Sequence, residues 1–120
     1  MALITDILIG VVALLHIYFL VLEMFLWDTP FGHRTFNLTA EFAAASKTLA
    51  ANQGLYNGFL AAGLGWGLWL GDGHDGWHVK LFFLACVVVA GLYGGYSVNR
   101  KIFFVQAVPA IIALMLLHIR

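Results

Sequence analysis

The sequence has few charged residues and almost no cysteine, and each shortage excludes a kind of site. Only 10% of the 120 residues are charged, and six basic and six acidic side chains give a net charge of zero. The chain therefore has no basic patch for nucleic acid and no polybasic segment for anionic lipid. The single cysteine, Cys86, excludes an intramolecular disulfide and a cysteine-based metal site.

Hydrophobic residues, in contrast, are abundant. They make up 62% of the sequence, above the roughly 50% of an average soluble domain. Four runs approach the ~20 residues that a membrane-spanning helix needs, and they cover residues 3–27, 49–70, 79–98 and 102–118. We therefore predict an all-α integral membrane protein, with residues 1–120 forming one domain of four transmembrane helices in an up-and-down bundle. The first run lacks the charged start of a signal peptide and is predicted to be retained.

The connecting segments predict how the four spans are joined and oriented. Pro30-Phe31-Gly32 predicts a turn, and the apolar spacing from Asn37 onward predicts an interfacial helix that leads into the second span. Pro109 is expected to disturb the last span near Val105. Loop one joins the first span to the second, and loop three joins the third to the fourth. Together they carry four basic residues against two on the other side of the membrane, which predicts that these loops are cytoplasmic and both termini outside.

Two ionisable residues in the first span are the strongest candidates for chemistry. His16 and Glu23 are seven residues apart, so on a helix they share one face within about 20° and lie about 10 Å apart along the axis. A charge near the bilayer centre costs at least about 2.5 kcal/mol, so such residues usually face the protein and mark a site. The structural alternatives are a buried neutral imidazole and an ion pair of Glu23 with Arg34 or Arg100.

Other polar residues of the predicted spans are concentrated towards loops one and three. The opposite half of the spans is almost entirely apolar. This distribution predicts a cavity that is closed at one end and holds a small lipophilic or amphiphilic ligand; hydrogen bonds between helices are the structural alternative. The predicted ligand-binding residues are Trp27, Asn52, Gln53, Tyr56, Asn57, Tyr93, Tyr96 and Gln106. Glycines in GxxxG spacing, Gly54 with Gly58 and Gly91 with Gly95, predict close helix contacts.

The loop between the second and third spans contains potential metal ligands. Asp72, His74, Asp75 and His78 lie within seven residues. Without a fold that brings them together, we favour a solvated loop in which Trp77 anchors the chain at the membrane interface. We predict no metal site and no cofactor.

Residues 51–64, ANQGLYNGFLAAGL, closely resemble the hallmark of the DUF1304 family of small bacterial membrane proteins. His16, the Leu22-Glu23-Met24 step with Trp27, and VQAVPA at residues 105–110 also resemble that family's pattern. The resemblance covers nearly the whole chain. It implies a multi-pass protein of the bacterial inner membrane with four helices, but no activity, since the family's own name states that its function is unknown.

Three functions are compatible with the sequence. In the first, Glu23 and His16 move a proton in an isomerase-like reaction on a bound lipophile, while the amides orient the ligand and the aromatic residues line the wall. The second is a small proton-coupled transporter or exporter, expected to be a homo-oligomer, in which Glu23 takes up and releases a proton as substrate passes. An apolar half without polar groups argues against it. The third is a structural accessory protein of the membrane. The residues do not decide whether the chain is an enzyme.

Overall fold

The computed structural model describes residues 2–119, and its regular secondary structure is entirely helical. No strand occurs within this range, which confirms the all-α prediction. Five helices follow one another along the chain: α1 (Ala2–Met24), α2 (Pro30–Phe36), α3 (Ala40–Leu70), α4 (His74–Ser97) and α5 (Arg100–Ile119).

Three of these helices, α1, α4 and α5, are long and apolar enough to cross a membrane. They correspond to the first, third and fourth predicted spans, although the first helix ends at Met24 instead of Trp27 and α4 ends at Ser97 instead of Val98. The second predicted span lies inside α3, which has 31 residues but is not among these three helices. Its amides, glycines and tryptophans lower its mean hydropathy, because none of these residues is as apolar as leucine or valine. The first, third and fourth predicted spans therefore have a matching apolar helix, whereas the second span stays a prediction.

The prediction of a simple turn at Pro30-Phe31-Gly32 is wrong, because these residues begin helix α2. Thr29 caps this helix: its hydroxyl oxygen accepts a hydrogen bond from the Gly32 N–H at 3.2 Å. Pro30 occupies the first helical position, where its missing N–H costs nothing. Asn37 ends the helix in the left-handed conformation, with φ of 56°. The proline and glycine that indicated a turn are thus equally suited to a helix start.

The described residues form two compact units, one of residues 2–14 with 60–119 and the other of residues 15–59. The first unit has an apolar core. Its buried residues are Ile9, Val12, Ala13, Leu64, Leu84, Val87, Ala110, Ala113 and Leu117. In the same unit α4 and α5 approach closely, since a Cβ added at Gly91 would lie 2.6 Å from the Ala107 nitrogen. The predicted close contact at the second glycine pair is therefore present.

Helix α5 departs from regular α-helical hydrogen bonding just before Pro109, as the sequence predicts. Residues Phe103–Ala107 form a π-helical turn, in which the Val108 N–H bonds to the Phe103 carbonyl five residues back. Pro109 has no N–H to offer the Val105 carbonyl, so the regular bonding pattern cannot continue through this turn. Gln106 lies in this turn and is partly buried.

Candidate functional site

The centre of the candidate site is a carboxyl–amide pair between α1 and α3 in the unit of residues 15–59. The Asn57 Nδ2 group donates a hydrogen bond to Glu23 Oε1. Glu23 is only 9% exposed, and no ion pair between described residues involves it. The structure therefore places a neutral amide at this carboxyl group. The alternative from the sequence was an ion pair with Arg34 or Arg100, and both of these residues are exposed.

A close contact between the two helices makes this pair possible. A Cβ added at Gly54 would lie 2.7 Å from Met24 Cγ and 3.0 Å from Glu23 Cβ, and one added at Gly58 would lie 2.7 Å from Leu20 Cδ1. As α3 advances from Gly54 to Gly58, its contacts on α1 move back towards Leu20, so the helices run antiparallel here. The predicted close packing at this first glycine pair is present, and it brings Asn57 level with Glu23.

His16 is completely buried in the same unit. Its imidazole meets the ring of Phe19 edge-on, with 5.4 Å between the ring centroids. His16 and Glu23 are thus both packed inside the protein, as their shared helical face predicts. Proton exchange between them stays a prediction.

Trp27 organises the junction between α1 and the two helices that follow. Its indole N–H donates to Ser46 Oγ at 3.1 Å, and its ring packs against Phe36 with centroids 4.8 Å apart. The side chain thus ties α1, α2 and α3 together. These contacts give Trp27 a structural role, whereas its predicted role as part of a ligand-binding wall stays a prediction.

The remaining predicted ligand-binding residues are divided between the two units. Asn52, Gln53 and Tyr56 lie on α3 in the same unit and are exposed. Tyr93 and Tyr96 belong to the other unit and are 69% and 90% exposed. Exposed tyrosines are typical of the aromatic belt at a membrane interface. The hydrogen bond between Asn57 and Glu23 joins two of the ten predicted site residues directly.

An apolar groove follows helix α4. It is open, has a volume of about 500 Å³ and follows one face of α4. The residues that line it are Phe82, Ala85, Cys86, Val89, Ala90 and Tyr93. It thus belongs to the unit of residues 2–14 and 60–119, and Glu23 and Asn57 do not line it.

The expectation that the half of the spans opposite loops one and three is almost entirely apolar is wrong. Lys80 is completely buried, and its Nζ lies 3.1 Å from Asp6 Oδ1, 3.1 Å from the Gly71 carbonyl oxygen and 3.5 Å from Asp72 Oδ1. The lysine stem packs against Gly67, where a Cβ would lie 2.8 Å from Lys80 Cγ. We call Lys80 and its three polar partners, Asp6, Gly71 and Asp72, the lysine cluster.

A signal for the lysine cluster was present in the sequence. Asp6 stands near the start of the first apolar run and Lys80 near the start of the third, and in an up-and-down arrangement both lie at the same membrane side. Opposite charges at matching depth favour pairing. Sequence reasoning missed it because Lys80 was counted only as a loop charge.

Comparison with known proteins gives one family. The model of the family described as "Protein of unknown function (DUF1304)" matches residues 10–118. The chain is also similar to the uncharacterized protein YpaA of Lactococcus lactis subsp. lactis (strain IL1403), with 32% identity over 117 residues that cover 96% of this chain and 97% of the relative. No solved structure matches the chain.

Proposed function

The chain belongs to the DUF1304 family, and we propose that Glu23 and Asn57 form the centre of a binding site for a small lipophilic or amphiphilic molecule in the bacterial inner membrane. The observation that carries this proposal is the state of Glu23. The carboxyl group is nearly buried in a helix apolar enough to cross a membrane, and its described partner is a neutral amide. An ionisable group kept in such a place without a cation is costly, and such groups are usually functional.

The membrane arrangement that goes with this site has four crossings. Helix α3 supplies the fourth: its 31 residues extend about 46 Å at 1.5 Å per residue, more than the ~30 Å hydrocarbon core. Its amide at Asn57 is satisfied by Glu23, which removes part of the cost of inserting a polar helix. The excess of basic residues in loops one and three supports a cytoplasmic position for both loops.

The chemistry of the pair suits a ligand with a hydroxyl or amino group. The Asn57 amide donates to one carboxylate oxygen and so orients the group without neutralising it. Glu23 can then accept a hydrogen bond or a proton from the ligand, and His16, on the same helical face, is the second group able to carry a proton. Proton removal at one position and return at another is an isomerisation, which is the reaction we propose.

Proton-coupled transport is the second candidate, because one feature of the sequence that disfavoured it is weakened by the structure. An almost entirely apolar half of the spans would hinder proton movement, and Lys80 with Asp6 places charged groups at the end of that half. If the protein is such a transporter, proton flux across liposomes that contain it should depend on Glu23, whereas retention of a ligand should not.

The test is native mass spectrometry of protein purified in mild detergent. We expect the wild type to retain a lipophile at fixed stoichiometry and Glu23→Gln to lose it, because glutamine keeps the size and the Asn57 contact but cannot take up a proton. Glu41→Gln is the matched control, since Glu41 is an exposed glutamate on α3 of the same unit. It should retain the lipophile.

Two results would count against the binding site. One is that all three proteins carry only bulk phospholipid while circular dichroism shows them equally folded. The other is that Glu23→Gln retains the same lipophile as the wild type. Either result would leave the pair as a structural contact that locks α1 against α3, the third function compatible with the sequence.

A further inference from the structure

Two histidine rings face each other at the start of helix α4. His74 is the first residue of the helix and His78 lies one turn later, so both side chains are on one face. The ring centroids are 4.2 Å apart, with 38° between the ring planes. Two histidines four residues apart on a helix is the spacing with which zinc proteins of the H-E-x-x-H type hold their metal.

Hydrogen bonds leave the same nitrogen of both rings available. His78 Nδ1 lies 2.8 Å from the His74 carbonyl oxygen, and since a carbonyl only accepts, Nδ1 carries the hydrogen and Nε2 keeps its lone pair. His74 Nδ1 lies 3.3 Å from Asp75 Oδ1, which favours the same tautomer. Metal-binding histidines are typically oriented in this way, by a carbonyl or carboxylate at the other ring nitrogen.

The spacing of the rings allows a shared ion. With metal–nitrogen bonds of about 2.1 Å, the centroids of two imidazoles on one tetrahedral zinc ion lie about 5 Å apart, and these exposed rings, 4.2 Å apart, reach that separation by small side-chain rotations. Both residues are exposed, with 81% of the His74 side chain accessible, so an ion can reach them from the aqueous side.

The backbone that carries the pair is held in place. The Trp77 indole N–H donates to the Leu117 carbonyl at 3.2 Å and so ties the first turn of α4 to α5. The positive end of the helix dipole opposes a cation here. The exposed carboxylate of Asp75 offsets it, while the buried Lys80 is engaged in the lysine cluster.

We infer that His74 and His78 form a two-imidazole site for a first-row transition-metal dication such as Zn²⁺. Imidazole suits zinc, copper and nickel, and it disfavours magnesium and calcium. Over residues 2–119 no group of three or more histidine, cysteine, aspartate or glutamate side chains is placed to hold a metal. The site therefore has two protein ligands and water at its remaining positions. It does not depend on Glu23.

The experiment is isothermal titration of the detergent-purified full chain, without a histidine tag, with Zn²⁺ alone. We expect one ion per chain for the wild type. His74→Gln and His78→Gln should each weaken binding about tenfold or more, as expected when a ligand is removed, and Asp75→Asn should weaken it about tenfold through the orientation of His74. Because the substituted side chains are exposed, circular dichroism should show unchanged folding.

His118 is the matched control. Its Nδ1 lies 2.8 Å from the Leu114 carbonyl oxygen, so it presents the same tautomer as His78 but has no histidine four residues before it. Binding by His118→Gln should be unchanged. The inference would be overturned if the wild type bound no stoichiometric zinc, or if His118→Gln weakened binding as much as His78→Gln, which would indicate diffuse binding to exposed histidines.

Discussion

Each compact unit buries a charged or ionisable side chain among apolar helices, but the two side chains are held differently. Lys80, in the unit of residues 2–14 and 60–119, has two carboxylates and a carbonyl oxygen within 3.5 Å of its ammonium group. Glu23, in the unit of residues 15–59, has the neutral amide of Asn57 as its described partner. Opposite charges therefore compensate the Lys80 ammonium group, whereas the Asn57 amide only orients the Glu23 carboxyl group.

This difference separates a structural ion cluster from a candidate site. A buried cation that faces opposite charges is stabilised in one state, and removing it harms the fold. A carboxyl group held by a neutral donor can exist with or without its proton, which is what acid–base chemistry requires. We therefore expect substitutions at Lys80 to act on stability and substitutions at Glu23 to act on function.

The largest effect is expected for Lys80→Met. Methionine fills a similar volume but removes the cation that Asp6 and Asp72 face, so the free energy of unfolding should fall by about 3 kcal/mol. Thermal or SDS unfolding in detergent measures it. Lys47→Met, at an exposed lysine of α3, should change stability by less than about 0.5 kcal/mol. Equal stability of the two variants would show that the lysine cluster is not structural.

Alanine at the close-contact glycines should have the next largest effect, and it should differ between the units. At Gly91 the added methyl meets backbone atoms of Ala107, so Gly91→Ala should cost about 2 kcal/mol. At Gly54 it first meets side-chain atoms, Met24 Cγ and Glu23 Cβ, and the nearest backbone atom, the Leu20 carbonyl oxygen, is farther away at 3.2 Å, so Gly54→Ala should cost about 1 kcal/mol.

Gly10→Ala is the control for both glycine variants in the same unfolding assay. Nothing lies within 4 Å of a Cβ at Gly10, so alanine should leave stability unchanged or raise it by up to about 1 kcal/mol through helix propensity. A loss of stability at Gly10 equal to that at Gly91 would mean that helix contact is not the cause.

The smallest stability effects are expected at the Glu23–Asn57 pair. Asn57→Ala removes one hydrogen bond between helices and should cost about 0.6–1 kcal/mol in an unfolding titration. Glu23→Gln keeps an acceptor for Asn57 and should cost less. A cost for Glu23→Gln as large as that for Lys80→Met would contradict the distinction between the two buried groups.

Much of the fold follows from local sequence. The long apolar runs determine α1, α4 and α5, because a helix satisfies its own backbone hydrogen bonds wherever water is excluded. Pro109 marks the disturbed turn of α5 for an equally local reason, its missing N–H. The helical face shared by His16 and Glu23 also follows from spacing alone, and both residues are buried.

Only the tertiary structure decided which polar groups meet. Spacing could not distinguish Asn57 from the neighbouring Asn52 and Gln53 as the partner of Glu23, since that depends on how α3 packs at Gly54. It could not show that Lys80 turns inward to Asp6, because those residues are 74 positions apart. Sequence periodicity specifies one helix at a time, whereas a hydrogen bond between helices needs their relative rotation and depth, which packing determines.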